Sequence, residues 1–235
     1  LAKVAQQYKP KAYLTVPVLH NPTGHSLTIS QAHRILRIAE EEDFIVIEDD
    51  SYAWFSAPNL PRLTALDGLE RTIYVGGFSK VLAPSWRVGF VIAPQRLQSQ
   101  LLAMKLLSSL TTNAIFERAV SIILDNGSLY RYTMGVNRKL ASARQVTIRL
   151  AIDSGCSFVS PPEGLFGWLD TGCNTEKLAE EMLRRGWLIA PGHLFFSTSR
   201  ISTLMRVNFA TAQDPLIWHV LADVRQSLGA PQHCG

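Results

Sequence analysis

The sequence predicts an α/β fold, on the strength of three observations. Stretches with helical spacing of apolar residues alternate with short apolar runs of strand length along most of the chain. Polar clusters follow several of these runs, where ligands bind in open α/β sheets. The chain has 235 residues, of which 47% are hydrophobic, so one large domain or two small ones can bury a core. This composition is unlike that of a disordered protein or a disulfide-framework scaffold.

Composition and charge narrow the classes of partner. The net charge is +4, from 23 basic and 19 acidic residues without long like-charged runs, so a nucleic-acid-binding face is neither indicated nor excluded. The longest apolar runs, such as residues 44–47, are far shorter than a membrane span. The six histidines lack metal-site spacing, so we expect no bound metal. A reducing cytoplasm is favoured by three cysteines without a CxxC pair: Cys156, Cys173 and Cys234.

The first half of the chain predicts a sheet followed by helices. Apolar and β-branched residues predict strands at residues 11–18, 44–48, 72–76 and 88–93. Thr28, with Gln31 three residues later, is typical of a capping box and predicts the start of a helix. From residue 95 to about 153 the pattern is helical, with Pro94 at its start and a break at Gly127.

The second half predicts a long helix and a smaller α/β unit. Residues 128–152 have the periodicity of one helix, which we interpret as the boundary between a domain of residues 1–127 and one of residues 128–235. The smaller unit is expected to contain strands at residues 164–170, 187–190 and 205–209. Its helices are expected at residues 176–185 and 214–228.

Lys80 is the first candidate for chemistry. It ends the Gly-Gly-Phe-Ser-Lys run that follows the third predicted strand, where a loop would present its amine to a cleft. A lysine amine in such a place can form a Schiff base with a carbonyl. Arg87, seven residues later, carries a planar charged fork that suits a phosphate. Each residue taken alone is more often a solvated surface cation, so the interpretation depends on their neighbours.

Four further polar residues lie at strand ends or inside an apolar strand. Asp49 and Tyr52 follow the second strand and could bind a heterocyclic N–H and a ring hydroxyl, or be a helix N-cap and a core tyrosine. Asn21 lies in an Asn-Pro-Thr-Gly run that is also ordinary turn chemistry. Arg206 is a cation within an apolar strand, and its anionic partner could be a protein or a substrate carboxylate.

Together these motifs resemble the class I and II aminotransferases of fold type I, which use pyridoxal 5′-phosphate (PLP). The matching motifs occur in the family's order, namely Asn-Pro-Thr-Gly at 21–24, Asp-x-x-Tyr at 49–52, Ser-Lys-x-x-x-Pro-x-x-Arg-x-Gly at 79–89 and Arg-x-Asn-Phe at 206–209. The resemblance runs from about residue 12 to residue 228. It implies the PLP-dependent transferase fold, here a partial large domain with a mixed sheet plus a complete small C-terminal α/β domain.

The resemblance implies a role for each cofactor-binding position. Lys80 would form the Schiff base with the cofactor and shuttle the proton. Asp49 would pair with the pyridinium N–H and keep the ring an electron sink. Tyr52 and Asn21 would hydrogen-bond the 3′-oxygen of the ring, and Arg87 would hold the phosphate.

The substrate and partners are also implied by the resemblance. Arg206 would bind the α-carboxylate of an amino acid bidentately, so the reaction would move an amino group between an amino acid and a 2-oxo acid. Family members are homodimers, and we expect the full-length protein to be one.

Two departures from the family pattern affect cofactor binding. Many relatives have Ser or Thr three residues before the lysine, where this chain has Gly77, so one phosphate contact would be lost. The chain also starts at Leu1 without the N-terminal part of the family, including its phosphate cup and stacking aromatic residue. We therefore expect a fragment that binds PLP weakly or not at all by itself.

The motifs are compatible with an enzyme or a regulator. The wording at residues 48–52, 78–84 and 204–210 resembles the aminotransferase-like domain of MocR-type regulators in the GntR superfamily. In such a protein PLP or its amino-acid adduct would be an effector, and DNA would be bound through a winged helix outside this chain. A third alternative is a domain that has lost PLP chemistry, but the retention of the whole residue set argues against it.

Overall fold

The computed structural model describes residues 1–198 and 200–229, so Cys234 lies outside the described residues. The chain divides into two compact units. The first comprises Leu1–Val18 and Ser26–Gly135, and the second comprises Leu19–His25 and the chain from Val136 onward. The predicted division between residues 127 and 128 stays a prediction. No helix in the described ranges is both long and apolar enough to cross a membrane.

The first unit contains a mixed four-stranded sheet, as predicted. Its strands are, in spatial order, β1 (Ala12–Thr15), β2 (Ile45–Asp49), β3 (Thr72–Gly77) and β4 (Gly89–Ile92). Strands β1 to β3 are parallel, whereas β4 is antiparallel to β3. The first strand is shorter than predicted, and Pro17, which has no N–H to donate to a ladder, follows its end. Because β2 and β3 end at the same edge, the polar residues after them lie close together.

Five helices complete the first unit: α1 (Ala2–Tyr8), α2 (Ile29–Glu41), α3 (Leu63–Asp67), α4 (Gln95–Ser109) and α5 (Ala114–Asp125). The predicted capping box is confirmed, because the Thr28 hydroxyl accepts from the Gln31 N–H at 3.2 Å and the Gln31 side chain accepts from the Thr28 N–H at 2.8 Å. The predicted helical run from residue 95 has an extra break before α5, where the side chain of Asn113 caps the new helix by accepting from the Ile115 N–H.

The core of the first unit lies between the sheet and helix α2. Ala32 and Ala39 of α2 are fully or almost fully buried, and they pack in one cluster with Phe44, Val46 and Leu63. The small helix residues let the backbone of α2 approach the sheet closely. This packing fixes the positions of β2 and α3, on either side of the segment that carries Asp49.

The second unit contains an antiparallel four-stranded sheet. Its strands are, in spatial order, β5 (Ser157–Phe158), β6 (Phe166–Asp170), β8 (Leu204–Asn208) and β7 (Ala190–Pro191). Its helices are α7 (Thr175–Arg184) and α8 (Pro215–Ser227), and α6 (Ser128–Asp153) contributes residues to both units. The prediction of a strand at 187–190 is wrong for residues 187–189. The N–H of Trp187 donates to the Met182 carbonyl of α7 at 2.9 Å, so it is not available to a strand ladder.

Candidate active site

A cavity of about 280 Å³ lies in the first unit, at the end of β3. Two cations that the sequence predicts for one site, Lys80 and Arg87, both line it. Both residues are exposed to solvent. The other lining residues are Ser51, Gly76, Gly77, Ser79, Val88 and Gly89. The cavity therefore combines two positive charges, two hydroxyls and close backbone, which is chemistry that suits a phosphate.

The connection between β3 and β4 brings the two cations together. Phe78 is 6% exposed and starts a tight turn in which the Leu82 N–H donates to the Phe78 carbonyl at 2.8 Å. The N–H of Phe78 in turn donates to the carbonyl of Val88 at 3.2 Å, which closes the connection at its base. Lys80 follows one side of this closure and Arg87 precedes the other. Both side chains consequently reach the same cavity although they are seven positions apart in the sequence.

The glycines of the cavity are not equivalent. A Cβ at Gly89 would lie 3.0 Å from the carbonyl oxygen of Gly76, which is too close for an unstrained contact. At Gly77 the nearest atom to a Cβ is the Val88 carbonyl oxygen at 3.6 Å, an ordinary contact distance. Space thus permits a side chain at Gly77, the position where many aminotransferases have Ser or Thr, and requires its absence at Gly89.

Asp49 ends β2 one turn away from the cavity lining. Its Oδ1 accepts hydrogen bonds from the Ser51 N–H at 3.0 Å and from the Ser51 hydroxyl. Neighbouring Glu48 faces the opposite side of the sheet, where it is fully buried and accepts from the N–H groups of Leu63 and Thr64 at 2.9 and 2.8 Å. Strand alternation therefore assigns Glu48 to capping α3 and leaves Asp49 on the other face.

Tyr52 lies in the turn that follows Asp49. It is 7% exposed and precedes a 3-10 turn at Ala53–Phe55. Asp49 and Tyr52 are neighbours of the lining residue Ser51 and are not lining residues themselves. The structure thus brings both residues to the same edge of the sheet as Lys80.

Asn21 and Arg206 meet in the second unit. The Arg206 guanidinium donates from Nη1 to the Asn21 side-chain oxygen at 3.0 Å. It also lies over the rings of Phe166 and Phe195, 4.6 and 5.2 Å from their centroids. Its Nε is buried and has no hydrogen-bond partner within the described part of the chain. The open question of the arginine's anion is narrowed, because the contacts seen are an amide and two rings rather than a carboxylate.

The sequence analysis did not single out the two cavity serines or the residues Asp50 and Arg62. Ser79 is adjacent to Lys80, and Ser51 follows a strand end, so their positions offered a signal. Arg62 lies in an irregular segment without periodicity, and its ion pair with Asp50 is visible only in the folded chain. Among the described residues, no group of three or more metal-ligating side chains is found.

Comparison with known proteins identifies the class. The family described as aminotransferase class I and II matches residues 1–223, so this chain belongs to that family. Structurally it is similar to the kynurenine aminotransferase of Pyrococcus horikoshii, solved in complex with PMP, with a TM-score of 0.85 and 26% identity over 95% of this chain and 57% of that one. The predicted resemblance and the predicted fold are thereby confirmed.

Curated relatives include both enzymes and regulators. Aromatic-amino-acid aminotransferase 1 of Thermococcus litoralis is 28% identical over 86% of this chain and 50% of its own length. The uncharacterized HTH-type transcriptional regulator YisV of Bacillus subtilis is 26% identical over 89% of this chain and 45% of its own length. The chain spans about half the length of the curated relatives it matches.

Proposed function

We propose that this chain is the lysine-bearing part of a PLP-dependent aminotransferase that moves an amino group between an amino acid and a 2-oxo acid. The observation that carries the proposal is the shared cavity of Lys80 and Arg87 at the edge where β2 and β3 end. A reactive amine and a phosphate-binding cation on one cavity are what a phosphorylated aldehyde requires. Membership of the aminotransferase family supports the same reading.

The residues present fit this cofactor. The guanidinium of Arg87 and the hydroxyl of Ser79 offer donors to a phosphate, and the bare backbone at Gly89 leaves room for close approach. The carboxylate of Asp49, oriented by its bonds to Ser51, offers an acceptor for a protonated ring nitrogen. Tyr52 lies in the next turn with a phenol suited to a ring hydroxyl.

The roles of the protein groups follow from their chemistry. PLP, when bound, supplies an aldehyde that condenses with amines and a ring that withdraws electrons. The Lys80 amine binds that aldehyde and afterwards carries a proton to and from the substrate carbon. Asp49 remains ionised so that it can hold the ring nitrogen protonated. Arg87 anchors the phosphate and thereby fixes the position of the ring relative to Lys80.

Arg206 is proposed to bind the substrate carboxylate. A guanidinium can engage a carboxylate through two parallel N–H groups, and the unpartnered Nε of Arg206 provides one of them. Asn21 holds the opposite amino group, so the fork is oriented before substrate arrives. The predicted contact of Asn21 with the cofactor ring stays a prediction.

Chemical trapping tests the assignment of Lys80. The complete gene product is incubated with PLP, reduced with borohydride and digested, and its peptides are analysed by mass spectrometry. Reduction should fix the cofactor on the peptide that contains Lys80. The exposed Lys105 on α4 provides the matched control, so Lys105→Ala should label normally while Lys80→Ala should not. Labelling of several surface lysines to equal extents would count against the proposal.

A second candidate function is the effector domain of a transcriptional regulator. The similarity to YisV, at nearly the same identity as that to the aminotransferase, favours considering it. The same residues would then bind PLP and an amino acid as effectors, and a region outside this chain would contact DNA. Rapid mixing with excess amino acid distinguishes the two. An enzyme releases the 2-oxo acid, whereas a regulator keeps a stable complex and releases none.

We further propose that the complete protein is a homodimer. In support, α4 has no buried residue and exposes apolar side chains, including Leu102 at 58%, Met104 at 62% and Leu107 at 83%. Apolar surface of this kind is commonly covered in the assembled protein. Sedimentation of the complete gene product should give a dimer, and a PLP-loaded monomer would contradict the proposal.

A further inference from the structure

Asp50, the residue after the proposed cofactor ligand Asp49, belongs to a buried polar network in the first unit. Its side chain is 1% exposed, and its N–H donates to the Val75 carbonyl of β3 at 2.9 Å. Its Oδ2 accepts from Nε of Arg62 and, at 2.9 Å, from the hydroxyl of Tyr74. Its Oδ1 is buried and has no hydrogen-bond partner among the described residues. Arg62 is therefore the cation that compensates this buried charge.

Arg62 also ties together the segment between β2 and α3. Its Nη1 donates to the carbonyl of Leu60 at 3.0 Å, and its Nη2 donates to the hydroxyl of Ser56 at 2.9 Å. With Nε on Asp50, all three guanidinium nitrogens are engaged. One side chain thus joins the end of a strand to two points of the irregular segment that follows it.

The segment that Arg62 ties down carries Tyr52, the proposed partner of the cofactor ring. Trp54, in the following 3-10 turn, donates its indole N–H to the carbonyl of Gly77 at 3.2 Å. Gly77 lines the cavity of Lys80. The corner from residue 49 to residue 54 is consequently fixed on the cavity side by Trp54 and on the far side by Arg62.

The charge of Asp50 makes this corner dependent on Arg62. Burial raises the pKa of Asp50, whereas the Arg62 guanidinium and the Tyr74 hydroxyl act to lower it, and the nearby charge of Asp49 raises it further. Removing the cation leaves a buried carboxylate without its partner, which is strongly unfavourable. The corner would then open to hydrate Asp50, or Asp50 would take up a proton, and either change alters the surroundings of Asp49.

We propose that Arg62 is a positioning residue for cofactor binding, which acts through Asp50 and Ser56 to hold the corner that presents Asp49 and Tyr52. The inference rests on the proposed function, because it assigns those two residues to PLP. Arg62 does not line the cavity, so its effect is exerted through the corner and not through contact with the cofactor.

The first part of the test needs no cofactor. Arg62→Met is compared with Arg71→Met in the complete gene product by hydrogen exchange of the peptides that cover residues 50–60. Arg71 pairs with Asp43 at 2.8 Å, but side-chain exposures of 35% and 91% mark this as a surface pair of small worth. Exchange should become at least about tenfold faster in Arg62→Met and remain unchanged in Arg71→Met.

The second part measures PLP affinity and the visible band of the bound cofactor. Arg62→Met should weaken affinity by at least about tenfold and shift the band, because the unpaired Asp50 disturbs Asp49. Adding Asp50→Asn removes the unpaired charge and should recover at least about half of that loss on a logarithmic scale. Arg62→Lys keeps the charge but cannot bond Asp50, Ser56 and Leu60 together, so it should give intermediate values even if Arg62→Met does not fold.

The outcomes separate this inference from the proposed function. Unchanged exchange at residues 50–60 would overturn the inference, and so would faster exchange with unchanged affinity, or no recovery with Asp50→Asn. If the unmodified protein does not bind PLP at all while the exchange result holds, the proposed function fails. The role of Arg62 toward the cofactor then falls with it, although its hold on the corner stands.

Discussion

The guanidinium of Arg206 donates a hydrogen bond of 3.0 Å to the side chain of Asn21, 185 positions earlier in the sequence. The bond joins the turn at 19–25 to strand β8, and both belong to the second unit. Two phenylalanine rings flank the same guanidinium. An arginine that is held this firmly and has no carboxylate partner among the described residues is prepared for an anionic ligand.

Arg206→Lys is expected to impair substrate binding while sparing the cofactor. Lysine keeps the charge but loses the bond to Asn21, the stacking on the rings and the bidentate fork. The KM for the amino acid should rise by at least about 30-fold, the lower end of what truncating a buried charge pair costs. PLP affinity, measured by absorbance, should stay within about twofold of the unmodified protein. A KM that does not change would show that Arg206 does not bind the carboxylate.

Gly77→Ser is expected to strengthen PLP binding. The position has room for a side chain, and a hydroxyl there would restore the donor that many relatives have. One added hydrogen bond should improve affinity by about 2- to 10-fold. Gly89→Ser is the matched control, because its Cβ would press on the Gly76 carbonyl at 3.0 Å and should weaken binding. The account of the phosphate site would be contradicted if Gly77→Ser and Gly89→Ser weakened binding equally.

Glu48→Ala is expected to destabilise the first unit. Glu48 is fully buried and satisfies the N–H groups of Leu63 and Thr64, which would be left without acceptors. Two unsatisfied buried amides should lower the free energy of unfolding by about 2–5 kcal/mol. Urea unfolding measures this value. Glu41→Ala, which removes an exposed pair with Arg37, should cost less than about 0.5 kcal/mol, and equal losses would refute the role of Glu48.

The stability of the second unit is expected to fall at alkaline pH because of Cys156. Burial raises the pKa of this thiol to about 11 from an ordinary value of 9.0. Between these two values the unfolded chain loses the thiol proton while the folded chain retains it. The free energy of unfolding should therefore decrease as pH rises through this window, by about 1–3 kcal/mol in total. Cys156→Ala should remove that contribution, and an unchanged pH dependence in the variant would exclude Cys156 as its source.

Local signals explain what the sequence could predict. The capping box of Thr28 and Gln31 and the ends of β2 and β3 depend on residues a few positions apart, and the structure confirms them. The cavity of Lys80 and Arg87 was predictable for a similar reason, since one tight connection carries both.

Non-local competition explains what the sequence could not predict. Residues 187–189 have the composition of a strand, but the N–H of Trp187 is taken by Met182 at the end of α7. The network of Asp50 and Arg62 joins a strand end to an irregular segment that has no periodic pattern. The pairing of Arg206 with Asn21 has no signal in spacing, because only the folded chain brings the two together.

A visible absorption spectrum tests the central claim, that Lys80 holds the cofactor, most directly. The complete gene product is titrated with PLP beside Lys80→Ala and Lys105→Ala, and an amino acid is then added. We predict a lysine-dependent visible band in the unmodified protein and in Lys105→Ala, changed by the amino acid and missing from Lys80→Ala. The same band in Lys80→Ala, or no band in any of the three proteins, would contradict the assignment of Lys80.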